Sequence, residues 1–304
     1  MTEGIKDSSH IIPWLLAARP KTLSAAFTPI FVASVLALHY GRAEQHHFVY
    51  YFSILALFST IFIQIGTNLI NDALDFKKGA DNERRLGPKR VTQSGLLTEK
   101  QVIFGGLVSF FIAALFAIPL VIHAGLPIFI IGCVSLLFGY LYTGGPYPLA
   151  YKGLGEIFVI FFFGLVAVCG VFYLQTGFLN KSVLIAGIEV GLLATVLISI
   201  NNYRDYIEDK KVGKMTLAAR FGAKFAKLEI MFLFILTYFV NFYWFFEINI
   251  WCAVLPLLTI PLAFKITRGI FIHTPSKVFN KYLGISALAQ ILFGLLLGIG
   301  ILIG

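Results

Sequence analysis

Two short stretches of this 304-residue chain repeat one arrangement of oxygen-bearing side chains. The first reads Asn71-Asp72-Ala73-Leu74-Asp75-Phe76 and the second Asn201-Asn202-Tyr203-Arg204-Asp205-Tyr206, so Asn, three residues, Asp and an aromatic return at an offset of 130. Asp81 follows the first copy and Asp209 the second. Helical positions four apart share a face, so Asn71 with Asp75 and Asp205 with Asp209 each form an oxygen pair, and Asp72 lies three before Asp75. Carboxylates gathered this way repel one another, and a hard divalent cation relieves the cost. Mg2+ takes oxygen ligands, uses one or two carboxylates per ion, and leaves its other positions to water and phosphate. Two such clusters, facing each other, are expected to hold a diphosphate through two bridging ions. Lys77, Arg84, Arg85, Lys89, Arg90, Lys210, Lys211 and Lys214 surround them and can grip phosphate oxygens.

The elements that must position these residues are membrane helices. The chain is 58% hydrophobic and only 13% charged, with a mean hydropathy of +0.86. Soluble domains carry about 25% charged residues, so a water-soluble enzyme, a disordered chain and a fibrous protein are excluded. Nine runs, at about 23–40, 49–71, 102–121, 126–143, 154–174, 182–201, 228–246, 249–265 and 283–303, have the length and hydropathy of a span. They are uniformly apolar rather than alternating, which predicts helices and not barrel strands. The expected fold is all-α: a polytopic membrane bundle of nine transmembrane helices forming a single domain over residues 1–304. Each acidic stretch closes an even-numbered span, four spans apart, which predicts two parallel four-helix halves plus one helix. The first run follows a polar start and is long enough to stay as a span, so no cleaved leader is expected.

With nine spans, 22 of the 24 Lys and Arg fall on the face that carries the N-terminus and both acidic stretches; the other face has only Arg42 and Lys181. That asymmetry predicts a multi-pass inner or plasma membrane protein whose N-terminus and site loops are cytoplasmic. The net charge of +9 belongs to this face, and no nucleic-acid-binding motif accompanies it, so nucleic acid is not an expected partner. Cys133, Cys169 and Cys252 are odd in number and lack a CxxC spacing, which supports neither a disulfide framework nor a zinc site. The six His are scattered, with His46 and His47 on the opposite face, and predict no His site. Basic loops follow from topology alone, and Asp or Asn at a helix end is often only a cap. Yet eight of the fifteen acidic residues lie in the two long connections at about 72–101 and 202–227, beside intramembrane Asn68, Asn71, Asn201 and Asn202. Polar groups at that depth are costly and mark function.

A diphosphate held at the mouth of an apolar bundle implies a hydrocarbon tail lying among the helices, open to the bilayer. Departure of the diphosphate leaves an allylic cation, with metal and Arg/Lys charge stabilising the leaving group. An electron-rich acceptor then captures the carbon. Arg19 and Lys21 enter the first span and either meet the acceptor's carboxylate, meet the diphosphate, or snorkel to the interface. Gly144, Gly145 and Pro146 predict a tight turn dipping toward the cleft. That turn brings Lys152 and Glu156 toward the acceptor, where Glu156 orients a hydroxyl, takes a ring proton, or simply ends a helix. Glu189 stands alone in span six without an evident role. A cation-coupled carrier is the competing reading from another class; the basic residues beside the carboxylates oppose it.

Four segments resemble the UbiA superfamily of intramembrane prenyltransferases: Arg19 to Leu23; Asn68 through Asp75 and Asp81 to Arg90 and Gly95; Tyr142 through Pro146 to Glu156; and Asn201 through Asp209 and Lys214 to Gly222. The resemblance implies a nine-helix bundle with a cytoplasmic cleft and Mg2+ dependence. It also implies transfer of a polyprenyl chain from polyprenyl diphosphate to dihydroxynaphthoate with loss of its carboxylate. Homogentisate and 4-hydroxybenzoate are the other acceptors to weigh. It assigns one ion to Asn71 and Asp75 and the other to Asp205 and Asp209, with Asp72 and Asp81 as further candidate ligands. It makes Asp75, Asp205, Asp209 and Lys214 the reacting set. Arg19, Lys21, Asn68, Arg85, Lys89, Arg90, Tyr142, Lys152, Glu156 and Asn202 are the implied substrate-binding residues. The superfamily's first motif is often written N-x-x-x-D-x-x-x-D; here position 79 is Gly and the third Asp falls at Asp81, a spacing like that of the naphthoate branch.

Overall fold

The structure, a computed structural model, describes residues 11–43, 48–83 and 85–303, with only the backbone described at positions 21, 24, 42 and 43. Arg84, His46 and His47, and the side chain of Lys21, therefore lie outside the described residues. The regular elements among the described residues are all helical: α1 (Ile11–Ala18), α2 (Ser24–Ala43), α3 (Tyr50–Lys77), α4 (Glu99–Ala124), α5 (Leu126–Leu141), α6 (Gly155–Thr176), α7 (Lys181–Lys211), α8 (Leu217–Glu247), α9 (Ile250–Ile272) and α10 (Phe279–Ile303). Seven of these, α3, α4 and α6 to α10, are long and apolar enough to cross a membrane. The expected runs at 23–40 and 126–143 fall on shorter apolar helices, Ala25–Gly41 within α2 and all of α5.

Large apolar side chains such as Phe104, Phe111, Ile122, Phe239 and Phe246 are exposed on the outer surface, as a lipid-facing surface requires. The interior is packed by the main apolar cluster, which joins Leu36, Phe172, Val190, Ile230, Ile266 and Phe293 from α2, α6, α7, α8, α9 and α10. Between α6 and α7 the approach is close because Gly164 lies directly on Gly187 and Gly191, where a Cβ would collide with backbone. At that contact α6 passes through a π-helical segment, Ile160–Val166.

Both acidic helices run past the expected spans, α3 to Lys77 and α7 to Lys211, so Asn71 to Asp75 and Asp205 to Asp209 lie on helix rather than in loops. The two helices stop in the same way. Gly79 and Gly213 each take φ +74°, and Ala80 N donates to Asp75 O at 2.9 Å as Lys214 N does to Asp209 O at 2.8 Å. These are matching Schellman-type ends, which need a residue free to adopt positive φ. Structurally, then, Asp75 corresponds to Asp209 and Asn71 to Asp205, one helical turn away from the register that the sequence repeat indicates. α7 continues a turn beyond its Asn-x-x-x-Asp before it is capped.

The segment 78–98 folds back over this end of the bundle, burying Ala80, Asp81, Arg90, Val91 and Thr92.

Candidate active site

Asp75 and Asp209 converge on one ammonium. Lys214 Nζ lies 3.5 Å from Asp75 Oδ2 and 3.9 Å from Asp209 Oδ1. Both carboxylates are buried, at 4% and 5% exposed. Burial works against the Lys214 charge, but Asp75 and Asp209 outweigh it and hold the amine's pKa above the usual lysine value. Asp75 Oδ1 accepts the Tyr151 hydroxyl at 2.9 Å. Burial first, then the Asp75 charge, drives that phenol well above its ordinary pKa. Lys78 Nζ stands 4.4 Å over the Tyr151 ring and donates to Thr143 O, and burial lowers its pKa despite Asp75. Thr143 Oγ1 donates to Asn71 Oδ1, tying the turn after α5 to the first acidic helix.

Asp205 is gripped by a neighbour that sequence spacing does not single out. Arg204 Nε and Nη2 donate to its two carboxylate oxygens at 2.8 and 2.6 Å. Arg204 Nη1 also donates to Asn280 Oδ1 at 2.7 Å, and Asn280 Nδ2 to Leu86 O at 3.1 Å. A fully buried arginine thus links α7, α10 and the 78–98 segment. Arg85 Nη2 is 3.8 Å from Asp205 Oδ2, and its Nη1 donates to Asp81. Arg90 Nε lies 3.1 Å from the other Asp81 oxygen. Burial raises the Asp81 carboxyl to about 6 against the pull of Arg85. Burial also opposes the Arg85 charge, but Asp81 and Asp205 raise its pKa overall.

Several expected residues are placed elsewhere. Asp72 accepts the backbone N–H groups of Val91 at 3.3 Å and Thr92 at 3.1 Å. One residue along a helix turns a side chain by about 100°, which aims Asp72 at the folded-back segment while Asn71 and Asp75 face Thr143 and Tyr151. Asn202 Nδ2 donates to Glu156 Oε1 at 2.8 Å, so it orients Glu156 from behind. Lys152 is exposed, with its ammonium 5.0 Å over the Tyr147 ring, and Lys89 is exposed on the 78–98 segment. Glu189 has a partner after all: Trp244 Nε1 donates to its Oε2 at 2.7 Å. Tyr151 and Arg204 are the residues sequence reasoning missed. Tyr151 sits in the Gly- and Pro-rich stretch after α5, which was the available signal.

At the other end of this network α1 turns sharply into α2. Arg19 holds φ +53°, the one positive φ outside glycine among the described residues. Asn68 Nδ2 donates to Ala18 O at 3.0 Å, Gln64 Nε2 to Thr22 O at 2.7 Å, and Arg19 Nη2 to Asn68 O at 3.3 Å. These bonds staple the corner to α3 and bring the Arg19 guanidinium near Arg85, Asp72, Asp81 and Asp75. Burial, with Arg85 next, lowers its pKa.

Two separate openings lie near this rim. A polar one of about 570 Å3 is lined by Ala80, Arg85, Arg204, Asp205 and Asp209. An apolar one, about 1130 Å3 of empty space with its open mouth included, runs inward from Tyr142 and Thr67 past Gln64, Phe138, Phe158 and Phe162 to Ala56, Leu120 and Val171. Tyr142 packs against the small cluster of Ala80, Ala150 and Tyr151, so it stands where the apolar cavity reaches the charged residues. Among the described residues no three His, Cys, Asp or Glu side chains gather into a closed metal cage. The donors that are present suit Mg2+, which needs few protein carboxylates, and a cation already stands between the two acidic helix ends.

An all-helical membrane bundle with facing acidic helix ends above an apolar cavity has the architecture of an intramembrane prenyltransferase. The chain belongs to the UbiA prenyltransferase family, whose model matches residues 26–297. A 1,4-dihydroxy-2-naphthoate octaprenyltransferase of Haemophilus influenzae is 33% identical, with 96% of each chain covered. The protein of the same name from Bacillus subtilis is also 33% identical, covering 98% of this chain and 94% of that one. A UbiA homolog from Archaeoglobus fulgidus bound to GPP and Mg2+ shares the fold with a TM-score of 0.61 at 16% identity, over 94% of this chain and 99% of that one.

Proposed function

We propose that this protein transfers a polyprenyl chain from polyprenyl diphosphate to 1,4-dihydroxy-2-naphthoate, releasing diphosphate and CO2 and giving demethylmenaquinone in its reduced form for menaquinone biosynthesis. The observation that carries the reading is the convergence of Asp75 and Asp209 on one cation at the top of an apolar cavity. The full-length likeness to relatives named for dihydroxynaphthoate supports this acceptor over homogentisate and 4-hydroxybenzoate.

Two Mg2+ ions are assigned to the site, one to Asn71 and Asp75, the other to Asp205 and Asp209. Bound there, they neutralise the charge that develops on the departing diphosphate. Lys214 turns from the carboxylates to phosphate oxygens, and Arg85 and Arg90, kept in place by Asp81, offer their remaining N–H groups to the same oxygens, adding charge-assisted bonds where negative charge grows. Asp81 serves by holding Arg85 and Arg90, and Asp72 by holding the backbone of the segment that carries them; neither is assigned to a metal. The apolar cavity takes the tail and keeps water from the allylic carbon. The carbon–oxygen bond to diphosphate breaks, the ring carbon bearing the carboxylate forms the new carbon–carbon bond, and that carboxylate leaves as CO2. Nine helices, α2 to α10, cross the bilayer as two parallel four-helix halves plus one, in a single domain with the N-terminus and site loops cytoplasmic.

Purified protein incubated with polyprenyl diphosphate, Mg2+ and each acceptor in turn tests this. Dihydroxynaphthoate is expected to give stoichiometric CO2 and diphosphate, and chelation of Mg2+ to stop both. Transfer to another acceptor alone overturns the assignment.

A further inference from the structure

We infer that Gln64 is an acceptor-binding residue, its side-chain carbonyl receiving a hydroxyl of the aromatic acceptor; this rests on the prenyltransferase reading above. Gln64 lies on α3 one turn deeper in the bundle than Asn68 and is 8% exposed. Its Nε2 donates to Thr22 O at 2.7 Å. A backbone carbonyl can only accept, so that bond fixes which way the amide faces: nitrogen to the corner between α1 and α2, oxygen away from it. The residue lines the apolar cavity, and its Oε1 is buried without a hydrogen-bond partner. A buried acceptor left without a donor is costly and calls for an explanation. A prenyl tail has no hydrogen to donate. A phenolic acceptor does.

Arg19 supplies the second point of attachment. Its Nε is also buried without a partner, and its Nη2 holds Asn68 O, four residues from Gln64. Four residues rise about 6 Å along a helix, the scale of an aromatic ring with an acid group at one end and a hydroxyl at the other. A hydroxynaphthoic acid therefore spans the two, carboxylate on Arg19 and hydroxyl on Gln64 Oε1, with its ring inside the cavity mouth below the diphosphate rim. Both anchors hang on the stapled corner, where Arg19 is held at positive φ. Strain of that kind persists only where surrounding bonds enforce it. Gln64 is neutral, so it accepts the O–H without removing the proton and leaves the ring's electron supply intact for capture of the allylic carbon.

The experiment uses full-length protein in proteoliposomes with Mg2+ and measures KM separately for dihydroxynaphthoate and polyprenyl diphosphate. Gln64→Met keeps the length and removes the carbonyl; Gln64→Glu keeps an oxygen there. Gln64→Met is expected to raise the acceptor KM about tenfold or more while the diphosphate KM stays within about twofold, and Gln64→Glu to recover part of the loss. Methylating one acceptor hydroxyl is expected to impose a similar loss on the wild-type protein and little further loss on Gln64→Met. An unchanged acceptor KM in Gln64→Met, a rise in the diphosphate KM in its place, or fully additive losses overturns the assignment. If Gln64→Met does not fold, the wild-type protein decides: equal KM values for the hydroxyl and methyl ether acceptors sink it. Failure of the wild-type protein to use dihydroxynaphthoate at all is a failure of the parent reading, and the comparison then runs on the hydroxylated acceptor it does use.

Discussion

At the scale of single residues, the site is built around a cation that two acidic helices share. Lys214 has a side chain only 13% exposed, and the Asp75 and Asp209 side chains are 6% and 7% exposed. Removing the ammonium leaves two buried carboxylates facing each other with no charge between them. Lys214→Ala is therefore expected to destabilise the metal-free protein by about 3–5 kcal/mol, the range for removing one partner of a buried ion pair. Added Mg2+ should stabilise this variant more than the wild type, because the carboxylates no longer have an internal competitor. Thermal unfolding in detergent, with chelator and with Mg2+, reads both effects. Equal Mg2+ shifts in the two proteins would show that Lys214 and the metal do not share the same oxygens. The pairing of Asp75 with Asp209 was only partly legible in the sequence. Residue types and i, i+4 spacing marked both helices, but Tyr151 reaches Asp75 through tertiary packing that no local spacing encodes, and the Arg204 guanidinium is turned onto its neighbour Asp205 while also bonding Asn201 and Asn280.

At the scale of elements, the question is what holds the 78–98 segment over the rim. It lacks regular secondary structure among its described residues, so its buried backbone groups need partners from elsewhere. Asp72 supplies two of them by accepting from Val91 and Thr92, and Asn280 reaches Leu86 O. Asp72→Ala strands the two amides. Hydrogen exchange across residues 85–95 should speed up markedly in that variant, consistent with loss of about 1–3 kcal/mol of local stability, while Mg2+ binding to the Asp75 and Asp209 side is retained. Loss of Mg2+ binding with unchanged exchange would return Asp72 to the ligand set. Sequence could not separate Asp72 from Asp75, since adjacent aspartates differ only in the face they present, and the face is decided by what packs there. The same reason explains the helix ends. Hydropathy marks where lipid begins and ends, so the apolar runs located the helices, but α3 and α7 extend until Gly79 and Gly213 cap them. The one-turn shift in register between the repeats is invisible until those caps are seen.

At the scale of the whole molecule, the charged rim fixes where the reaction starts and the apolar cavity fixes what tail can follow. The cavity runs along α3 from Thr67 to Ala56, and the far wall is α5 from Tyr142 back to Gly132 and Ile128. Ten residues separate Tyr142 from Gly132, about 15 Å along the helix, room for a few isoprene units before the tail must pass between helices into the bilayer. Gly132 leaves this stretch open: a Cβ there meets no atom within 4 Å. Gly132→Phe therefore fills the tail path far from every charged residue of the rim. Overpacking a tight core is destabilising, but here the added ring enters existing space, so the variant should fold and keep its affinity for inorganic diphosphate. Its kcat/KM should fall steeply for long polyprenyl diphosphates and change little for a ten-carbon one, because only the long tail reaches Gly132. Comparing kcat/KM across a series of chain lengths tests this. A uniform loss at every length would place the tail on another path, and no loss at any length would mean that this apolar cavity is not where the hydrocarbon lies.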